Sequence, residues 1–485
     1  VGTAAAVKKM TMEFSGLAAD SREVKPGFLF AALKGSKTDG GRFIEDAVKR
    51  GAVLVLGVPE LADQVGKLGV GFIADRNPRL RLARMAAEFY AAQPKCIAAV
   101  TGTNGKTSVA YFLKQIWSSQ GRKAASLGTL GIYSPSGHAK LAHTTPDPVE
   151  LHAQLARLQR EGVEHLALEA SSHGLDQFRL DGIDVAAAAF TNITRDHLDY
   201  HSTFEEYLKA KLGLFERLVR AGGVAVVNRD ADHADEVIAA AKRRGLHLLT
   251  VGAHGETLKL TGQVPRTRGQ ELSVLYKGRA RSIALPLAGL FQASNALVAA
   301  GLALGLGDPA DAVFAALATI KGAPGRLELV AQTRAGAPIY VDYAHTPDAI
   351  ETVLTALRPH VKGRLHIVFG CGGDRDRGKR PLMAAAAARY ADSVIVTDDN
   401  PRSEDPAAIR RDVLKGAPNA REVGDRVEAI GLGIAALGAD DVLVIAGKGH
   451  EDYQILGSET RPFSDREEAM KAALALGGSG LGGDS

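Results

Sequence analysis

The sequence predicts an α/β protein of three domains, and three observations predict it. Short apolar runs closed by Gly or Asp alternate with stretches of helical period through most of the chain. The length of 485 residues exceeds what one core serves, at about 100–200 residues per domain. Between Thr257 and Leu287 the helical period lapses, which marks antiparallel strands appended to a sheet. The expected architecture is a small α/β domain over 1–94, a central parallel-sheet domain over 95–322, and a Rossmann-like domain over 323–485.

The first block offers strands at Phe28 to Leu33 and Val53 to Leu56, then a helix from Arg79 to Ala92 that Pro94 closes. The second opens on the strand Cys96 to Val100 and continues with buried-strand runs at His165 to Glu169, Val185 to Thr191 and Gly223 to Val227. Alternation at Glu271 to Tyr276 and Ser282 to Leu287 predicts the ribbon, and a helix from Gln292 to Leu304 follows. In the third block Ile339 to Val341, His366 to Phe369, Ser393 to Thr397 and Val442 to Ala446 each precede a helical stretch. The tail Gly477 to Ser485 is rich in Gly and Ser and reads as disordered.

Composition narrows the function. Apolar residues make up 46% and charged residues 24%, with 59 Lys+Arg against 55 Asp+Glu, so the chain is neither disordered nor strongly basic. Basic clusters such as Lys242-Arg243-Arg244 are short and lack interleaved aromatics, which argues against a nucleic-acid partner. Cys96 and Cys371 sit far apart beside apolar runs, so neither a disulfide framework nor a cysteine-ligated zinc is expected, and a reducing compartment fits. No run approaches the roughly 18 apolar residues of a membrane span, and Val1-Gly2-Thr3 lacks a signal-peptide layout. A cytoplasmic protein without membrane insertion is the expectation.

The strongest motif is Thr101-Gly102-Thr103-Asn104-Gly105-Lys106-Thr107-Ser108, set between an apolar strand and a helical stretch. Gly102 and Gly105 let backbone N–H groups turn toward an anion, and the helix N-terminus adds positive charge. Lys106 can reach terminal phosphates, and the Thr107 hydroxyl can coordinate Mg²⁺. The central block is thereby predicted to be a P-loop ATPase sheet. The Gly-x-x-Gly-Lys-Thr spacing is two residues shorter than the usual phosphate loop, which argues against an ordinary GTPase or kinase. Glu169 closes the run Leu166 to Leu168 and would stand at a strand's carboxyl edge as a hard oxygen ligand for Mg²⁺. Asn192 to His201, reading NITRDHLDYH, brings two histidines and two aspartates into one loop.

The shortened loop and these companions resemble the Mur ligases, ATP-dependent amide-bond-forming enzymes of peptidoglycan synthesis. The resemblance covers nearly the whole chain. It implies that Thr107 and Glu169 hold the catalytic Mg²⁺, that His197 ligates a second Mg²⁺, and that Lys211 is a carbamylated lysine. An ordinary lysine is a poor partner for Mg²⁺; addition of CO₂ makes it an anionic oxygen donor. From sequence alone Lys211 would pass for a surface lysine of the helical stretch Glu205 to Glu216. The resemblance also gives Asn295 to adenine, where helix capping competes as a reading, Arg326 to phosphate and Asp342 to ribose. The third domain would then close over ATP held by the second.

For the substrates, the resemblance assigns the first block to a uridine nucleotide through Ser21, in Asp20 to Gly27. It assigns Thr144, Thr145, Ser171, Gln177 and Arg179 to the muramoyl dipeptide. Asp399-Asn400-Pro401-Arg402 follows a strand and resembles the family pattern linked to meso-2,6-diaminopimelate. That amino acid carries a second carboxylate and a second ammonium. Arg402, with Arg375 as a second clamp, would take the carboxylate; Glu451 and the Gly447 backbone would accept from the ammonium. The implied reaction phosphorylates the free carboxylate of UDP-N-acetylmuramoyl-L-alanyl-D-glutamate and then joins it to the amine. No general base is legible: His197 is unsuited if it binds metal, which leaves Asp342 and His345. A lysine-adding ligase, a folylpolyglutamate synthetase and a catalytically silent ATP-binding scaffold stay open as alternatives. A monomer is expected.

Overall fold

The computed structural model describes residues 13–35, 38–196 and 200–481. At the N-terminus four parallel strands, Gly16–Ala18, Phe28–Ala31, Leu54–Gly57 and Gly71–Ala74, lie side by side in chain order. A parallel sheet must be covered on both faces, and the alternation within Phe28–Ala31 shows how. Phe30 packs with Ile44, Val55 and Val65 on one face, whereas Leu29 and Ala31 meet Leu82 and Met85 of the helix Pro78–Tyr90 on the other. Asn77 caps that helix by accepting from the Leu80 N–H. The strand Gly71–Ala74 escapes sequence reading because it is four residues long and only half-buried at the sheet edge.

In the central domain Cys96–Thr101 runs parallel between Val185–Phe190 and His165–Glu169. Val185–Phe190 reads VAAAAF with every position buried, so small side chains let helices approach the sheet closely. The helix Lys106–Ser119 lays Val109, Phe112, Leu113, Ile116 and Trp117 on one face, beside the helix Leu290–Gly305. There a Cβ at Gly301 or Gly305 would sit 2.8 or 2.6 Å from Val226 or Val224. The ribbon predicted from lost helical period is three antiparallel strands, Leu258–Arg266, Gly269–Tyr276 and Arg279–Leu285, joined to the sheet through His247–Gly252. The first of them is mostly half-exposed and was not legible as a strand.

The C-terminal sheet orders its strands Arg421–Glu422, Ser393–Asp398, Leu365–Cys371, Val442–Ala446, Pro338–Asp342, Glu328–Gln332 and Ser479–Gly480. The last corrects the expectation of a disordered tail. Ser479 and Gly480 pair antiparallel with Gln332 and Ala331, and the Leu481 N–H donates to the Val330 carbonyl at 2.8 Å. Glu328–Gln332 would otherwise present an open edge, and strand pairing there outweighs the flexibility of a Gly/Ser-rich segment. Residues 482–485 lie outside the described residues.

One side chain pins the central and C-terminal domains together. His360 donates from Nδ1 to the Arg266 carbonyl at 2.7 Å and accepts at Nε2 from the Gly289 N–H at 3.0 Å. It is 3% exposed, and burial pushes its pKa below the ordinary value. A donor facing Nε2 requires the neutral ring, so protonation breaks one of the two bonds. Because the folded pKa is lowered, this contribution is whole above the unfolded value near 6.5 and is lost as pH falls below it. His360→Gln keeps a donor and an acceptor without titrating. Thermal unfolding should place the two proteins together at pH 7.5, with wild type falling about 2–4 °C further by pH 5, for about 1 kcal/mol per hydrogen bond.

Candidate active site

The phosphate loop leaves the strand at Thr101 and enters the helix at Lys106. Gly102 and Gly105 adopt φ of +149° and +86°, where only glycine is relaxed. Close approach adds to the demand: a Cβ at Gly102 would lie 1.9 Å from Thr191 Oγ1, and one at Gly105 would lie 2.4 Å from Asn295 Oδ1. Asn295 is thus beside the loop, but in the second turn of Leu290–Gly305 and not at the helix start. Its Nδ2 donates to Gln292 Oε1 at 3.1 Å, so helix capping is not its role. The loop is braced from a second segment. The Thr103 and Asn104 N–H groups donate to the Asn192 carbonyl and Asn192 Oδ1, and Thr103 Oγ1 meets Tyr207 Oη at 2.9 Å. Ser108 is buried behind it.

Two lysines converge on one carbonyl. Lys106 Nζ donates to Gly102 O at 2.9 Å and Thr103 O at 2.8 Å, and Lys211 Nζ donates to Gly102 O at 2.7 Å. Lys211 is 1% exposed and lies 4.3 Å from the centre of the Tyr207 ring, which corrects its reading as a surface residue. Helical period could not show this, because what buries Lys211 is the phosphate loop, a hundred residues away in sequence. Burial, reinforced by the Lys106 charge, holds the Lys211 pKa well below the ordinary value. Burial also lowers Lys106, against the pull of Glu169.

Glu169 is 2% exposed. Thr107 Oγ1 donates to its Oε2 at 3.0 Å, and Thr129 donates through N–H to Oε1 at 2.8 Å and through Oγ1 to Oε2 at 3.1 Å. Thr129 has no sequence signal of its own; the turn after Ala124–Gly128 delivers it. A buried carboxylate among hydroxyls is a hard-oxygen set suited to Mg²⁺. Among the described residues no three His, Cys, Asp or Glu side chains form an all-protein metal site. One carboxylate with the Thr107 and Thr129 hydroxyls matches Mg²⁺, which usually takes one or two carboxylates and completes its shell from phosphates and water. His197 lies outside the described residues.

The predicted dipeptide contacts form one network with Glu169. Thr144 Oγ1 meets Thr129 Oγ1 at 3.0 Å, Thr145 Oγ1 donates to Glu169 O at 3.0 Å, and Ser171 Oγ donates to Thr145 Oγ1 at 3.0 Å. Arg179 Nη1 donates to Thr145 O at 2.7 Å, and its Nη2 to Gln177 Oε1 at 2.8 Å. Ser21 stands apart in the N-terminal domain, buried, where its hydroxyl keeps the Asp46 carboxyl below its ordinary value.

Across the cleft, the Arg326 guanidinium lies over the Tyr343 ring at 4.8 Å, and its carbonyl accepts from Gln292 Nε2 at 3.2 Å. Asp342 accepts from the Leu327 and Ala344 N–H groups, both at 2.7 Å. Burial pushes it up to about 6, although Arg326 opposes the shift. Asp399 and Gly447 adjoin, since a Cβ on Gly447 would lie 2.8 Å from Asp399 Oδ2. Asn400 is fully engaged: Nδ2 donates to Glu451 Oε2 at 3.0 Å, and Oδ1 accepts from Lys448 Nζ at 3.1 Å and the Ile455 N–H at 3.0 Å. Lys448, 0% exposed, is a site residue that sequence reading passed over. It lies between Gly447 and Glu451 in the sequence, and only the fold turns it inward.

Pro401 is buried, and Arg402 Nη1 donates to Gly373 O at 2.8 Å. Arg402 and Arg375 both flank Gly372, but Arg375 is exposed, so the two guanidiniums are not a formed clamp. Their loops are tied instead by Ser403 Oγ to Asp374 Oδ1 at 2.6 Å and by the Asp374 N–H to Glu404 Oε1 at 2.6 Å. A cavity of about 640 Å³ runs from Thr129 and Thr144, beside Glu169, to Tyr343, Glu451 and Tyr453 of the C-terminal domain. An ion pair between Lys140 and Asp452 spans the two domains at this cavity.

Sequence patterns of three Mur ligase domains match in tandem: the Mur ligase family catalytic domain over 13–90, the Mur ligase middle domain over 100–303 and the glutamate ligase domain over 325–449. The chain belongs to the Mur ligase family. It is 55% identical over 481 residues to a protein of Bradyrhizobium diazoefficiens named UDP-N-acetylmuramoyl-L-alanyl-D-glutamate--2,6-diaminopimelate ligase, covering 98% of each chain. A protein of Caulobacter vibrioides with that name is 51% identical over 464 residues, covering 94% of this chain and 95% of its own. A solved structure described as the same ligase superposes with a TM-score of 0.72 at 36% identity, over 96% of this chain and 95% of that one. Folylpolyglutamate synthase of Mycobacterium tuberculosis shares the fold at 21% identity and TM-score 0.60, over 76% of this chain and 92% of its own. Among the described residues no helix is long and apolar enough to cross a membrane.

Proposed function

We propose that this Mur ligase uses ATP to join meso-2,6-diaminopimelate to the D-glutamate carboxylate of UDP-N-acetylmuramoyl-L-alanyl-D-glutamate. The observation that carries the reading is the cavity, which puts the Glu169 network at one end and the Asn400–Glu451 pair at the other. An acceptor carboxylate held by Thr144 and Thr145 and an amine held by Glu451 would meet inside it. The loop N–H groups that Asn192 does not engage, together with Lys106, hold the ATP phosphates, and Arg326 supplies a second positive charge from the opposite domain. The carboxylate oxygen attacks the γ-phosphorus, ADP leaves, and an acyl phosphate forms. The amine nitrogen then attacks the carbonyl carbon, expels phosphate and gives up its proton.

Mg²⁺ held by Thr107 and Glu169 would neutralise charge on the transferring phosphoryl group. A second Mg²⁺ would draw on His197 and on Lys211. Addition of CO₂ to the buried Lys211 amine, with loss of one proton, makes the carbamate that supplies oxygen there. Asn295 facing the adenine, Asp342 near the ribose and Ser21 on the uridine complete the reading, in a cytoplasmic monomer. The two Asp342 oxygens also hold the Leu327 and Ala344 N–H groups, which fixes the carboxylate in place and leaves lone pairs for a ribose hydroxyl.

The test is phosphate release with ATP, Mg²⁺ and UDP-N-acetylmuramoyl-L-alanyl-D-glutamate, adding either meso-diaminopimelate or L-lysine. Release with diaminopimelate and at least about 10²-fold less with lysine is expected, since lysine leaves the second-carboxylate site unfilled. Release with lysine alone overturns the amino-acid assignment, and no release with either overturns the reaction.

A further inference from the structure

We infer that Arg79 is a binding residue for the anionic oxygens of the uridine-nucleotide substrate, acting with Arg179 across the seam between the N-terminal and central domains. The inference rests on the function proposed above. Arg79 stands in the first turn of the helix Pro78–Tyr90. Its Nη2 donates to the Lys34 carbonyl at 2.6 Å, and its Nη1 reaches Gln177 Oε1 at 3.3 Å. The same oxygen accepts from Arg179 Nε at 3.2 Å and Nη2 at 2.8 Å. Two guanidiniums from two domains therefore converge on one neutral amide oxygen.

That arrangement is unfavourable unless something else is meant to occupy it. Like charges at this separation repel, and burial penalises at least one of them: desolvation lowers the Arg179 pKa, and Arg79 lowers it further against the pull of Asp147. Among the described residues neither guanidinium has a carboxylate within ion-pair distance. Gln177 cannot compensate, being neutral and already committed, with its Nε2 on Tyr200 Oη at 2.9 Å and that hydroxyl on Asp176 at 2.7 Å. Each guanidinium keeps N–H groups that these bonds do not use. Paired guanidiniums with spare donors match carboxylate or phosphate oxygens, which planar forks bind two at a time. The place fits as well, since Arg179 also donates to Thr145, whose hydroxyl reaches the backbone of Glu169. A substrate that spans both domains offers two such anions, the pyrophosphate of its nucleotide and the carboxylates of its dipeptide.

Arg79 is not legible as a site residue from sequence, where it is one of three arginines in an ordinary helix start, with Arg81 and Arg84. A domain strut is the competing role, and charge separates the two. Arg79→Gln keeps hydrogen-bonding capacity toward Lys34 and Gln177 but removes the cation; Arg79→Lys keeps the cation and loses the fork. Calorimetric titration would use UDP-N-acetylmuramoyl-L-alanyl-D-glutamate, UDP and ATP as separate probes on the full chain. Arg79→Gln should weaken the full substrate about tenfold or more, with Arg79→Lys between it and wild type and ATP affinity unchanged within about twofold. Equal weakening for UDP assigns the contact to the pyrophosphate, and weakening confined to the full substrate assigns it to a carboxylate. Wild-type affinity in Arg79→Gln for both uridine probes overturns the inference and leaves the ligase reading standing. A wild-type protein that binds neither uridine probe overturns both.

Discussion

Lys106→Met lowers the turnover number about 10²–10³-fold, the loss expected when one preorganised charge at the transferring group is removed. The fold should be largely unaffected, because methionine fills similar space and the Gly102 carbonyl keeps the Lys211 donor when the two Lys106 bonds are lost. Lys106 is a sharper test than Glu169 or Lys211. Removing either of those disturbs a buried network, whereas the Lys106 hydrogen bonds end on carbonyls of the loop it serves. Lys106→Arg should recover little, since a guanidinium is larger and delocalised and the loop is closed against Thr191 and Asn295. Steady-state rates with saturating ATP, alongside a thermal unfolding curve, check both halves. A variant that keeps more than about a tenth of wild-type turnover would remove Lys106 from the phosphoryl site.

Arg402→Ala raises KM for diaminopimelate about 10²-fold or more and leaves KM for ATP and for the uridine substrate unchanged, the range for truncating one partner of a desolvated charge pair. The structural reason begins with the backbone. Arg402 adopts φ of +53°, a conformation that disfavours any side chain with a Cβ and costs about 1–3 kcal/mol. It is held there because its N–H donates to Ile455 O at 3.2 Å and its carbonyl accepts from the Gly457 N–H at 2.8 Å. Those two bonds run to the hairpin Tyr453–Leu456 and Glu459–Pro462, which also carries the Ile455 N–H that anchors Asn400. Arg402→Gly therefore makes an informative companion. It relieves the strained φ and should unfold at an equal or higher temperature than wild type, yet lose the amino acid as completely as Arg402→Ala. If Arg402→Gly kept wild-type KM for diaminopimelate, the guanidinium would have no part in recognising it.

The phosphate loop, the strand that precedes it and the carboxyl-edge position of Glu169 were legible in the sequence, because each is a local statement. A strand, a glycine pair and a helix start are neighbours along the chain, and the spacing alone shows that a phosphate fits between them. Asp399 to Arg402 was legible for the same reason, as a turn at the end of Ser393–Asp398. The ribbon after Thr257 was legible from a change of period, although its first strand was not. Over residues 479–481 composition misleads, since it reports chain flexibility and cannot report that an open sheet edge stands nearby.

What only the tertiary structure decided is which charges share a space. Lys211 is a surface lysine until the helix that bears it is laid against Gly102, and Lys448 is a loop residue until Asn400 closes on it. Arg79 joins the site because the N-terminal and central domains meet at Gln177, and His360 pins the C-terminal domain to the central one because a ribbon and a helix start converge on one ring. The sequence by itself determined the elements and the chemistry each could carry, since hydrophobic period and motif spacing are properties of neighbours. Burial, pairing and desolvation depend on residues far apart in the chain, and those contacts set the charge and partners on which the site depends.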